Sequence, residues 1–265
     1  MYVLSPHCLQ SNLLTHLPQP TATLTAIATF CASHNLHYLS DEIYAMSTFS
    51  NPSHPNATPF TSALSLPLPL LPTRIHILYG AAKDFCSNGL RLGAFYSRNE
   101  ALLRSMKSIN SFSWSPYIVQ DTWARILEDT KYLDWFITEN QRRLQKNFGI
   151  MTEFFRKEGI PTFEGSNAAL FVWVDLRQWF LDDPEKDDIA VLKATAPGVE
   201  KYVAKQDLLS KAWQAKGVMI GKGTAFLTEE VGWVRVVFSA QEEALRVGLQ
   251  RFVDVLKQLK ADGKL

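Results

Sequence analysis

Four kinds of side chain in this sequence, carboxylate, phenol, amine and guanidinium, stand where they could act on a small charged molecule. Asp41 and Tyr44 close an apolar run in Ser40-Asp41-Glu42-Ile43-Tyr44-Ala45. A carboxylate and a phenol three residues apart, just past a buried strand, could both reach one planar heterocycle. Taken alone, the pair reads better as a cap of solvated charge on the strand. Lys83 follows small residues in Tyr79-Gly80-Ala81-Ala82-Lys83-Asp84, and Arg91 comes eight positions later. A lysine in a tight turn can lose its solvent, and the lowered pKa of a desolvated amine suits imine formation with a carbonyl. A nearby arginine can clamp a phosphate through two parallel hydrogen bonds. The alternative is an ordinary solvated lysine. Arg235 stands inside the apolar run Gly232-Trp233-Val234-Arg235-Val236-Val237-Phe238. A charge there needs an anionic partner, which could be a structural carboxylate or the carboxylate of a substrate.

Each of these groups adjoins a short apolar strand, and helices separate the strands. The spacing of Leu24, Ile27, Ala28 and Cys31 predicts a helix ending at His34-Asn35. Residues 36–43, 74–79 and 92–96 read as strands, the second closed by Gly80. Residues 51–72 hold six of the thirteen prolines and read as a surface excursion. Beyond residue 99 the chain turns helical, over 101–109, 117–127 and 131–157. In the last of these, Leu133, Phe136, Leu144, Phe148, Met151 and Phe155 form an apolar stripe that reads as core packing. Residues 168–174, 218–220 and 234–238 read as strands and 183–199 as a charged loop. A helix follows through Trp213, and another over 242–259 closes the chain. Helices alternating with strands in both halves indicate an α/β chain in two parts, 1–125 and 126–265.

Composition narrows the partners. With 265 residues, 46% hydrophobic and a net charge of +1, the chain lacks the basic bias of a nucleic-acid binder. No run approaches the roughly 20 apolar residues of a spanning helix, so no membrane partner is expected. The first residues do not read as a signal peptide. Cys8, Cys31 and Cys86, odd in number and without CxxC spacing, suit a reducing, cytoplasmic compartment. Cys86 reads as a packing residue that a phosphate-binding turn nearby could make reactive. His34 and His37 straddle a helix end with no further His or Cys close by in sequence, so no metal is expected. Gly221-Lys222-Gly223-Thr224 resembles the end of a phosphate-binding P-loop, but glycine follows the lysine and Gly217 stands one position too close.

Taken in order, Asp41 with Tyr44, Lys83 with Arg91, and Arg235 resemble the fold-type-I pyridoxal-phosphate enzymes, the class I/II aminotransferases. Within these the sequence looks like the 1-aminocyclopropane-1-carboxylate (ACC) synthase-like branch. The likeness runs from about Leu24 to Leu259 and includes Asn88-Gly89-Leu90-Arg91-Leu92-Gly93, Asn167-Ala168-Ala169-Leu170-Phe171-Val172-Trp173 and Glu229-Glu230-Val231-Gly232-Trp233-Val234-Arg235. It implies part of a PLP-transferase large domain, with a mixed, mostly parallel sheet and helices, over 1–125, and an α+β C-terminal small domain over 126–265. It implies pyridoxal 5′-phosphate as cofactor. Lys83 would be the catalytic residue, linked to the cofactor as an imine and later moving the substrate's α-proton. Asp41 would keep the pyridine nitrogen protonated, Tyr44 would donate to the ring O3′, and Arg91 would hold the phosphate. Arg235 would bind the α-carboxylate of an amino-acid substrate. The reaction would be aminotransfer, an ACC-synthase-like elimination or carbon–sulfur lysis. The assembly would be a homodimer, with the helix around Ser113, Tyr117 and Gln120 at its interface.

The departures from the family pattern carry expectations of their own. Gly80 and Ala82 stand where the family places serines, so hydroxyl contacts to the phosphate would be absent. Ser5-Pro6-His7 reads as the remnant of an Asn-Pro-x-Asn-Pro-x-Gly stretch. What the family places before it would be missing, leaving an N-terminally truncated chain with an incomplete cofactor cup and a buried strand turned into an edge. The alternative is a non-catalytic fragment that acts only by association with a full-length homologue.

Overall fold

The computed structural model describes residues 3–4, 18–66, 73–163, 165–181 and 188–265. The Ser5-Pro6-His7 stretch lies outside the described residues. The first sheet has the order β1 (Val3–Leu4), β2 (His37–Asp41), β3 (Ile75–Gly80) and β4 (Gly93–Ser97). β1, β2 and β3 run parallel and β4 is antiparallel to β3, which gives the expected mixed sheet. Helix α1 (Thr21–Ser33) fills the β1–β2 crossover. Its Leu24, Ala28 and Cys31, on one face by their spacing, pack against Tyr38, Ile75 and Ile77 in a buried cluster. The helix stops where Asn35 takes a left-handed φ of 57° and the Leu36 N–H returns to the Cys31 carbonyl at 2.8 Å.

After β4 come α2 (Glu100–Asn110), α3 (Tyr117–Glu128) and α4 (Thr130–Lys157). The Asn99 side chain caps α2 by accepting from Leu102 N–H at 3.0 Å. The second sheet, β5 (Phe171–Asp175), β7 (Trp233–Val237) and β6 (Gly221–Lys222) in spatial order, is antiparallel throughout. It is accompanied by the short α5 (Arg177–Phe180), α6 (Glu200–Ala215) and α7 (Glu242–Ala261). Trp213 of α6 stacks on Phe252 of α7 with ring centres 4.4 Å apart and donates its indole N–H to the Phe252 carbonyl at 3.0 Å. No helix among the described residues is long and apolar enough to cross a membrane.

The chain divides into two compact units, one of residues 1–142 with 167–169, the other of 143–166 with 170–265. The division falls inside α4 and not near residue 125, for a reason visible in its side chains. In the first unit Asn140 donates to the Asp84 carbonyl at 3.2 Å and Gln141 to the Met46 carbonyl at 3.0 Å. In the second, Leu144, Phe148, Met151 and Phe155 are buried, and Asn147 donates to the carbonyls of Phe238 and Ala240. The expected core stripe is therefore buried in its C-terminal two-thirds, while Leu133 and Phe136 remain half-exposed.

Two further expectations change. Residues 218–220 form no strand; the ladder to β7 uses Gly221 and Lys222 instead. The Pro-rich excursion is anchored where it is described, because the buried Glu42 carboxylate accepts from Ser62 Oγ at 3.0 Å and Ala63 N–H at 2.9 Å.

Candidate functional site

Asp41 ends β2 on a ladder that continues one bond further, from Glu42 N–H to the Leu78 carbonyl at 2.9 Å. Its Oδ1 accepts from Ile43 N–H at 3.2 Å, and Oδ2 has no partner among the described residues. Asp41 and Tyr44 line one hollow together with Pro18, Thr48, Phe60 and Ala168. All of these belong to the first unit.

Lys83 sits in the loop that joins β3 to β4. That loop is pinned at its neck, where Gly80 pairs with Gly93 and Ala81 N–H donates to the Leu92 carbonyl at 3.1 Å. On one side of Lys83 the backbone closes through Cys86 N–H to the Lys83 carbonyl at 3.0 Å. On the other, Asp84 is fully buried and its carboxylate accepts from Ser47 Oγ at 2.5 Å, Tyr79 Oη at 2.8 Å and Met46 N–H at 2.9 Å. Phe85 meets the Trp123 ring edge-on at 4.3 Å and stacks on Phe136 at 5.9 Å. Lys83 is thus presented between anchored neighbours, with its Nζ 5.8 Å from the centre of the Tyr44 ring. Among the described residues that amine makes no hydrogen bond or ion pair.

The electrostatics centre on Asp84. Burial raises its pKa, and the hydrogen bonds from Ser47, Met46 and Tyr79 pull the other way. Burial and the Asp84 charge push the Tyr79 phenol far up, so it stays a donor. Burial, then the same carboxylate, raises the Cys86 thiol, which works against the thiolate reactivity the sequence suggested.

Arg91 leaves the same loop in a left-handed conformation, φ 54°, with its exposed guanidinium donating to the Asn88 carbonyl at 3.1 Å. Such backbone states cost roughly 1–3 kcal/mol outside glycine and gather at functional sites. Gly80 is closely held as well. A Cβ there would stand 3.0 Å from the Leu92 oxygen, so the hydroxyl the family places at this point has no ready space.

Arg235 lies on β7 in the second unit, its guanidinium 3.7 Å from the centre of the Phe226 ring and 4.3 Å from that of Phe171. Aromatic faces stabilise a cation in this way without neutralising it. The β7 entry is set by Gly232, at φ 104°, where a Cβ would come 2.9 Å from the Arg177 Cα. Arg177 in turn pairs with Asp175 and Glu230 and covers the Trp233 ring at 4.7 Å.

The structure therefore gathers Asp41, Tyr44 and Lys83 in one unit, with Arg91 further along the Lys83 loop, and carries Arg235 on the other. An uncommitted amine, a half-committed carboxylate, a phenol and a guanidinium beyond the carboxyl ends of parallel strands form a donor set that fits a phosphorylated pyridine aldehyde. Sequence reasoning missed Asp84, Glu42 and Asn167 as organising residues. Asp84 had a signal, an acid directly after an apolar strand and a small-residue turn; the partners of the other two lie far off in sequence.

The chain has counterparts in sequence and in fold. A family model for class I and II aminotransferases matches residues 19–252. The chain is 31% identical over 229 residues to the mouse 1-aminocyclopropane-1-carboxylate synthase-like protein 1, covering 86% of this chain and 41% of that protein. It is 28% identical over 235 residues to 1-aminocyclopropane-1-carboxylate synthase 3 of Solanum lycopersicum, covering 88% of this chain and 46% of the relative. A mouse relative described as a probable inactive synthase-like protein 2 is 28% identical, with 92% of this chain and 38% of that protein covered. Among solved structures, an aspartate aminotransferase double mutant of Thermus thermophilus superposes with a TM-score of 0.71 at 22% identity, covering 96% of this chain and 56% of that one. The aromatic aminotransferase of Pyrococcus horikoshii gives 0.72 at 19% identity, with coverages of 99% and 60%. The chain thus spans less than half the length of these curated relatives.

Proposed function

This chain belongs to the class I and II aminotransferase family, and from that membership we propose that it binds pyridoxal 5′-phosphate and acts on amino acids, by aminotransfer or by an ACC-synthase-like elimination. The observation that carries the reading is the convergence of Asp41, Tyr44 and the uncommitted Lys83 amine beyond the ends of β2 and β3. When bound, the cofactor supplies a sink for the electron pair left as a bond to the substrate's α-carbon breaks. The Lys83 amine would hold the cofactor's aldehyde carbon and, once displaced by substrate, carry a proton at the α-carbon. Asp41 Oδ2 would accept from the protonated ring nitrogen, and Tyr44 Oη would donate to the ring 3-oxygen. Arg91 would exchange its bond to the Asn88 carbonyl for one to the phosphate. Arg235 would orient the substrate through its α-carboxylate. The free Cys31 and Cys86 support a cytoplasmic setting as part of the same proposal.

Titration of the purified chain with pyridoxal 5′-phosphate tests this. A visible absorption band should appear, and borohydride reduction should leave a stable adduct that peptide mass mapping places on Lys83. Arg235→Ala should weaken the amino-acid-induced change of that band by about tenfold or more with cofactor affinity unchanged. A band that survives Lys83→Ala, or no band at all, refutes the reading for this chain.

A second reading, association with another copy or with a full-length homologue, is favoured by α2 and α3. Neither helix buries a single residue among the described ones, and Ile109, Phe112, Trp114, Tyr117 and Ile118 are all more than 60% exposed. Contiguous exposed apolar surface of this kind marks association sites. We place the homodimer contact there.

A further inference from the structure

The surroundings of Arg235, all within the second unit, do more than carry a charge on a strand. Across the ladder Arg235 pairs with Trp173 of β5 on one side and with Gly221 of β6 on the other. Directly opposed residues share a face, as do residues two apart on a strand, so Phe171, Trp173, Gly221 and Arg235 stand on one side of the sheet. Gly221 leaves a gap there that the half-buried Phe226 ring fills, since a Cβ at Gly221 would meet that ring at 3.0 Å. Buried Trp173 braces the Phe226 ring edge-on, with centres 5.6 Å apart. The Arg235 guanidinium thus lies over two ring faces, those of Phe226 at 3.7 Å and Phe171 at 4.3 Å.

The loop that carries Phe226 is held under strain. Its single turn of 3₁₀ helix, Gly223–Phe226, lies so close to β7 that a Cβ on Gly223 would stand 2.6 Å from the Trp233 carbonyl oxygen. The turn ends at Leu227 with a left-handed φ of 57°. Leucine has no polar side chain to ease that conformation, and at 91% exposure its own burial offsets none of the strain. Thr228 fastens the far side, its N–H donating to the Gly223 carbonyl at 3.3 Å and its Oγ1 to the Glu230 carbonyl at 2.9 Å. What this construction secures is the placement of Phe226.

An arginine side chain has many rotamers, and binding a carboxylate ordinarily includes the loss of that freedom. Ring faces remove the freedom beforehand. They attract the cation without accepting its in-plane N–H groups, which two parallel bonds to a carboxylate require. We propose that Phe226 is a positioning residue for carboxylate recognition: its ring face fixes the Arg235 guanidinium so that the N–H edge meets the α-carboxylate of the amino acid. The inference deepens the role proposed for Arg235 and rests on it.

The test is NMR of the full chain without cofactor, isotope-labelled at arginine, with the Arg235 Nε–H signal identified by its loss in Arg235→Lys. Propionate, a carboxylate without an amino group, should shift that signal saturably, and neutral propionamide should not. Phe226→Leu keeps an apolar side chain but removes the ring; pentafluorophenylalanine at position 226 keeps the ring but reverses the charge of its face. Each should raise the propionate concentration at half-saturation by about tenfold or more. If Phe226→Leu fails to fold, Gly221→Ala carries its arm with the same expected loss, because the added Cβ displaces the edge of the Phe226 ring. A signal that ignores propionate, an equal response to propionamide, or an affinity indifferent to Phe226→Leu or to the fluorinated ring overturns the proposal. A chain with the visible cofactor band but no propionate response keeps the cofactor reading and loses this one; a chain with the response but no band does the reverse.

Discussion

Lys83 owes its position to a residue that takes no part in the proposed chemistry. Asp84 gathers donors from Ser47, Tyr79 and Met46 in a fully buried place, so removing its carboxylate strands all of them at once. Asp84→Ala should lower unfolding free energy by about 3 kcal/mol in urea titrations, and Asp84→Asn by less, because one oxygen survives. The pKa shift has a sign of its own. Burial leaves the folded carboxyl above its unfolded value, so its contribution is largest below that value and fades as pH rises through the folded one. Gly80 sets the opposite kind of limit, one of space. Gly80→Ser restores the family's hydroxyl, yet its Cβ meets the Leu92 oxygen at 3.0 Å. Calorimetry should find the variant less stable by about 1–3 kcal/mol, with no gain in affinity for pyridoxal 5′-phosphate.

Across the first sheet, three strands are tied by a relay of side chains. His37 of β2 shares a hydrogen bond with His76 of β3 at 2.8 Å, and His76 shares another with Ser97 Oγ of β4 at 2.8 Å. Burial and then the neighbouring His37 bring the His76 pKa down from 6.5 to about 4. The unfolded chain therefore takes up a proton that the folded sheet refuses. The stabilisation is complete above pH 6.5 and is lost as pH falls towards about 4, a swing of roughly 3 kcal/mol. Chemical denaturation at stepped pH should show that slope, and His76→Gln should flatten it. How far such elements can be read in advance depends on what makes them. The helix of Leu24, Ala28 and Cys31 and the strands around Asp41 and Gly80 were legible because local spacing and burial coincide there. Residues 218–220 misled because an apolar run resembles a strand, while the ladder to β7 begins only at Gly221. At Gly221 the missing side chain leaves room for the Phe226 ring, which a Cβ there would meet at 3.0 Å. The hold of Glu42 on Ser62 and Ala63, and of residues 47–49 on 167–169, lay beyond reach because no local pattern encodes a bond across so many residues. Asp41, Tyr44 and Lys83 could be proposed from sequence; of the anchors around them only Asp84 left a local signal.

For the molecule as a whole, the exposed apolar face of α2 and α3 and the course of α4 matter most. If the face is the homodimer contact, Phe112→Asp combined with Ile118→Asp should convert dimer to monomer in sedimentation. Phe112 is 92% and Ile118 73% exposed, so the thermal midpoint of the monomeric double variant should fall no further than that of wild type diluted to monomer. A dimer that persists would relocate the contact. The helix that runs from one unit into the other bears on a different matter, the exchange of parts between proteins. A cut at Arg142 and Arg143 would open α4 in mid-course and leave N–H groups on one piece and carbonyls on the other without partners. It would also part Asn140 and Gln141 from the turns of Leu144 and Asn147 that follow them. Recombination, circular permutation or a split reporter would have to break this chain in a loop such as 111–116, even though that loop lies within one unit and the seam between the two lies elsewhere. Each unit has its own core, yet neither is a transferable cassette.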